Sequence, residues 1–93
     1  MDYSRSKPKH KDDITVHSLG KEWVLHDEQQ ARIHVLNETA YFIWSHCDGN
    51  VTVEHISDEL RNHFRGNHEN IAIDIPSILL KMHQEGLIVN LEA

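Results

Sequence analysis

Apolar and polar positions change their period part-way along this chain. Between Asp12 and Leu36 the apolar residues gather in three short runs, Ile14 to His17, Glu22 to His26 and Ala31 to Val35. Ser18-Leu19-Gly20-Lys21 and Asp27-Glu28-Gln29-Gln30 divide them. Polar loops of that length join neighbouring antiparallel strands, so the spacing predicts a three-stranded meander. In the third run Ala31, Ile33 and Val35 alternate with Arg32, His34 and Leu36, as in a half-buried strand. The second run is apolar on both sides at Trp23-Val24-Leu25, which suits a strand central in a sheet or covered on both faces.

From Leu36 the period becomes helical. Ala40, Ile43, Trp44 and Cys47 fall at i, i+3, i+4 and i+7, and Asn37 stands where its side chain can accept a free backbone N–H. Asp48-Gly49 ends this helix, and Thr52 is placed to cap a second whose apolar stripe is Val53, Ile56, Leu60 and Phe64. After the polar loop Arg65-Gly66-Asn67-His68, a last helix is expected over roughly Ile71 to Gln84, ending at Gly86, with the stripe Ile71, Ile75, Ile78, Leu79 and Met82. Pro76 would clash with a preceding turn, so the segment before it is expected to be frayed or kinked, or the regular helix to start near Asp74. Leu87, Ile88, Val89 and Leu91 form an extended end. The expected fold is α+β: a winged helix-turn-helix, with three short antiparallel strands followed by three helices.

Size limits what such a fold can do. A chain of 93 residues makes one small domain with little room for an enclosed active site, which disfavours an enzyme. No apolar run approaches the roughly 20 residues that span a bilayer, so no membrane partner is expected. The N-terminus lacks a secretory pattern and the single cysteine makes no internal disulfide, both of which point to the cytoplasm. The sequons at Asn37 and Asn50 then read as caps and turns. Charge is uneven: residues 1–11 hold Arg5, Lys7, Lys9 and Lys11 against Asp2, while the remainder holds five basic residues against fourteen acidic, a net −9. The first eleven residues offer no apolar face and are expected to be a disordered basic tail, leaving residues 12–91 as the domain.

Candidate chemistry is sparse. Nine histidines invite a metal, but there is no His-Glu-x-x-His or Cys-x-x-Cys pattern. His55, Glu59 and His63 read as one solvated helix face, and a cross-strand trio of His17, His26 and His34 requires a register that nothing local fixes. Cys47 lies on the apolar stripe and reads as core. Asp74 and Glu85 are too far apart on one helix to make an acid/base pair. No catalytic residue, metal site or cofactor is assigned. The alternative function is a DNA-binding winged helix, yet the last helix offers only Lys81 and Gln84, against Asp74 and Glu85, in a domain whose charge repels phosphate. No nucleic acid is expected as a partner. A third reading is a dimerising module whose exposed strand edge pairs with another copy, giving a homodimer.

Leu36-Asn37, Ala40, Ile43-Trp44, Cys47-Asp48-Gly49, Thr52-Val53, Ile56, Leu60, Asp74-Ile75, Leu79, Met82 and Gly86-Leu87 occur in an order and spacing that resembles the family of pyrroloquinoline quinone biosynthesis protein D, the RiPP recognition elements. The resemblance covers about Ala31 to Ile88. It implies a non-catalytic winged-helix domain for natural-product biosynthesis. Such a domain binds the leader segment of a ribosomally made precursor peptide and presents it to a modifying enzyme, commonly a radical S-adenosylmethionine enzyme. It also implies that the peptide adds as a strand along the third strand, in a groove closed by the last helix. Carried onto this sequence, the edge is Arg32, Ile33, His34 and Val35. One flank of the last helix carries Asp74, Ile78, Lys81 and Glu85, and the other Ile73, Pro76, Leu80 and His83. The first is favoured, because it joins an apolar anchor to both charge signs. Pro76 departs from the family pattern.

Overall fold

The computed structural model describes residues 5–63 and 75–91. Along the chain they form β1 (Lys9–His10), β2 (Ile14–Leu19), β3 (Glu22–Asp27), β4 (Arg32–Leu36), α1 (Glu38–Ser45), α2 (Val53–His63), α3 (Ile75–Gln84) and β5 (Ile88–Val89). β2, β3 and β4 make an antiparallel meander with β3 in the centre, as the doubly apolar Trp23-Val24-Leu25 run requires. β2 runs on to Leu19, so its turn to β3 is only Gly20-Lys21. β4 starts at Arg32 because Ala31 takes a left-handed φ of +53° to close the four-residue loop.

Direct cross-strand partners share a face of the sheet. One face carries Val16, Trp23, Leu25, Asp27, His34 and Leu36, and it packs against the helices. Ile33 and Val35, the more apolar side of the third run, lie on the other face and are exposed. Hydrophobicity along β4 therefore runs opposite to burial.

Both expected caps are made. Asn37 Oδ1 accepts from the N–H of Ala40 at 2.8 Å, and Thr52 Oγ1 accepts from the N–H of His55 at 3.1 Å. Between α1 and α2, Gly49 takes φ +83° in the connecting turn. α3 ends where Gly86, at φ +78°, lets the N–H of Leu87 reach the carbonyl of Met82 (2.8 Å) and that of Gly86 reach His83 (3.1 Å). Pro76 is the second residue of α3 and needs no intrahelical N–H there. Phe64, the 65–68 loop and the 71–74 portion of the expected last helix lie outside the described residues.

Leu25, Ile43, Ile56, Leu79, Leu87 and Ile88 are almost wholly buried between sheet and helices, each contributing about 1.5–3 kcal/mol of transfer free energy. Trp23 stacks on Tyr41 with ring centroids 3.9 Å apart, joining the sheet to α1. Trp44 Nε1 donates to the Leu87 carbonyl at 3.1 Å, joining α1 to the C-terminal segment.

Residues 5–11, expected to belong to a disordered tail, are packed on the domain. β1 pairs antiparallel with β5, and the extended C-terminal end is thereby a strand. Ser6 and Pro8 carbonyls accept from the N–H groups of Val53 (2.9 Å) and Gly49 (3.0 Å), and the N–H of His10 donates to Cys47 (2.7 Å). Lys11 Nζ meets Asp27 Oδ2 at 2.8 Å. Pro8 is fully buried and the His10 ring lies against Trp44 with centroids 4.9 Å apart, but main-chain hydrogen bonds and an ion pair to distant residues also hold this segment, and composition does not register those.

Candidate functional site

A cleft of about 670 Å³ opens between β4 and α3. Ile33, His34, Val35 and Leu36 form the strand wall, and Ile78, Lys81, Met82 and Glu85 the helix wall. Asn37, Thr39 and Ala40, in the first turn of α1, close one end together with Leu87.

The strand wall is also a hydrogen-bonding edge. Among the described residues, β4 has β3 on one side and no strand on the other. The two-residue turn makes Leu19 and Glu22 a hydrogen-bonded pair, and such pairs alternate along an antiparallel ladder. Residues 22, 24 and 26 of β3 thus bond to β2, and residues 23, 25 and 27 bond to β4. Their partners Leu36, His34 and Arg32 are committed to β3. Ile33 and Val35 are left with N–H and C=O groups directed to the open edge.

His34 points from this strand toward α3, with its side chain nine-tenths buried. Its Nδ1 is 3.3 Å from Glu85 Oε2. Nε2 is buried without a hydrogen-bond partner among the described residues. Lys81 on α3 and Glu85 just past its end give the cleft rim both charge signs, while Ile78 and Met82 supply apolar wall.

Six of the eight expected site residues, Ile33, His34, Val35, Ile78, Lys81 and Glu85, therefore line one cleft. Arg32 lies on β4 outside it, and Asp74 lies outside the described residues. Pro76, Leu80 and His83 of the alternative flank do not line it, and Ile73 lies outside the described residues. Sequence reasoning did not include the α1 end of the cleft. The signal was present, since an N-cap immediately after β4 forces the first turn of α1 against the end of that strand.

The other candidate chemistry disperses. The register puts His17 and His26 on the outer sheet face and His34 on the inner one, so the trio does not converge. His55 Nε2 and Glu59 Oε1 pair at 3.6 Å on an exposed helix face, while the His63 ring lies against Phe42. Among the described residues no three His, Cys, Asp or Glu side chains are grouped to hold a metal, and no helix is long and apolar enough to cross a membrane. Cys47 is buried and its Sγ donates to the Ile43 carbonyl at 3.2 Å. Burial, with the nearby Asp48 charge, pushes its thiol up to about 12. Asp27 is fully buried and accepts from Lys11 and from the N–H groups of Gln29 and Gln30. The Lys11 hydrogen bond holds its carboxyl below the ordinary carboxylate value, against the opposing effect of burial.

Residues 22–88 match the family model described as coenzyme PQQ synthesis protein D (PqqD). The chain belongs to the PqqD family. Its fold is similar to that of a solved structure described as TbiB1 in complex with the TbiA(beta) leader peptide. The TM-score is 0.66 at 18% identity, over 91% of this chain and 99% of that one. Curated proteins gave no sequence match. The matched span holds β3, β4, α1, α2 and α3, and so both walls of the cleft.

Proposed function

We propose that this PqqD-family domain binds the leader segment of a ribosomally synthesised precursor peptide as an added strand on β4, and presents it to a modifying enzyme. The observation that carries this reading is the coincidence of an open strand edge, at Ile33 and Val35, with a cleft whose second wall is α3. Edge N–H and C=O groups supply affinity and register, and the cleft selects the side chains that point inward. TbiB1, whose fold is similar, was solved with a leader peptide.

On this reading the domain recognises and presents the peptide. Asp27 and Cys47, whose environments shift their ionisation, lie outside the cleft and hold structural contacts. Catalysis belongs to the partner, of the radical S-adenosylmethionine class by family resemblance. Lys81, the cation that a DNA-binding reading of α3 would need, lies in the cleft with Glu85 one turn away, in an acidic domain.

Titration of isotopically labelled protein with the precursor peptide encoded beside its gene tests the proposal. Amide shifts are expected at residues 33–35 and along 78–85. Saturable binding that leaves both segments unperturbed would place the peptide elsewhere.

A further inference from the structure

The outer face of the sheet is unusually apolar where it meets the open edge. Ile33 and Val35 are 67% and 58% exposed, and Val24, directly opposite Val35, continues the apolar strip onto β3. The inward residue between them is the polar His34. An edge strand that met only solvent would carry charge on this face, because exposed β-branched residues beside unpaired main-chain groups invite unwanted pairing. The face has no lysine or arginine among its strand residues, and Glu22 is its single acid.

We infer that Ile33 and Val35 form a second reading surface for the bound peptide, which carries β-branched or aromatic side chains at the two positions opposite them. This rests on the strand-addition reading above and extends it. The edge-directed groups of Ile33 and Val35 fix the register of any added antiparallel strand: the residues opposite them exchange hydrogen bonds with them. Partners in register share a face, so those two side chains lie outside, against Ile33 and Val35, while the residue between them turns into the cleft. The peptide segment is consequently apolar at i and i+2 for the outer face, and is chosen independently at i+1 by the cleft. A leader recognised by the cleft alone would be constrained only at alternate positions. Occupancy is assigned to the peptide rather than to a second copy because the apolar strip is continuous with the cleft along β4.

Random peptides displayed on phage, selected on the wild-type protein, provide the test. Selected peptides should show Val, Ile, Phe or Tyr at two positions i and i+2, and should lose binding to Val35→Pro. A representative synthetic peptide should bind the I33T/V35T double variant about 2- to 30-fold more weakly, the equivalent of two cross-strand pairs. Alanine at i and i+2 should weaken binding to wild type but weaken it no further in the double variant. Threonine keeps the strand preference, and circular dichroism confirms that the variant is folded. Peptides sensitive to Val35→Pro that lack the i, i+2 preference, or that bind I33T/V35T unchanged, would overturn this inference and leave strand addition standing. Peptides insensitive to Val35→Pro would sink strand addition itself. A peptide-free dimer in sedimentation that I33T/V35T abolishes would give the face to a second copy and also overturn the inference.

Discussion

Proline substitution at adjacent residues of β4 separates binding from folding, because hydrogen-bond direction alternates along the strand. At Val35 the N–H is directed to the open edge and the side chain is exposed, so proline removes nothing that the folded domain uses. Its cost falls on the complex. One ladder hydrogen bond is lost, about 0.5–1.5 kcal/mol, and a peptide carbonyl is left unpaired, about 1–3 kcal/mol. Together these are about 1.5–4.5 kcal/mol, an increase in Kd of about 10- to 2,000-fold. At His34 the N–H bonds to Leu25, and proline breaks the β3–β4 ladder at about 3 kcal/mol or more. For a domain of this size that lowers Tm by at least about 12 °C. Fluorescence anisotropy with the labelled precursor leader measures the first effect, and thermal unfolding followed by circular dichroism measures the second. Val35→Ala, which keeps the N–H, should bind far better than Val35→Pro. A folded Val35→Pro protein with unchanged Kd would refute strand addition. Equal destabilisation by the two prolines would refute the assignment of edge-directed groups.

Three further expectations concern the scaffold. Asn37→Ala and Thr52→Ala each remove a helix cap and should cost about 1 kcal/mol, read as a Tm lower by about 4–8 °C; a change below about 1 °C would show that the cap bonds contribute nothing. Cys47 should resist alkylation by iodoacetamide at neutral pH until the protein unfolds, since its thiol is buried and pushed up to about 12; labelling of the folded protein at the rate of a free thiol would contradict this. Asp27, held below its ordinary value by Lys11, stabilises the fold above the unfolded carboxylate pKa and loses that contribution as pH falls through its folded value. Lys11→Met removes the lowering partner and leaves burial, so the acid limb of a Tm against pH profile should move to higher pH; an unmoved limb would show the pair to be without effect.

Much of the scaffold was legible because its determinants are local. The stripe Ile43, Trp44 and Cys47, the caps Asn37 and Thr52, and Gly86 after α3 act within one or two turns, so their spacing alone specifies helices and ends. The two-sided apolar run Trp23-Val24-Leu25 fitted a central strand or one covered on both faces, and β3 is central. Six of the eight expected site residues line the cleft, and helix geometry had placed Ile78, Lys81 and Glu85 on one flank.

What escaped the sequence depends on long-range pairing. The strand Lys9–His10 and the Lys11–Asp27 ion pair join segments whose partners are far along the chain, and main-chain bonds leave no mark in composition. The facing of β4 was undecidable for the same reason: alternation marks two faces, and only the docking of the sheet on the helices decides which is inward. By itself the sequence determined the three meander strands, the capped helix pair after them and the family. Tertiary structure alone turned His34 in and Ile33 and Val35 out, because a one-residue change of register would exchange the two faces at no local cost.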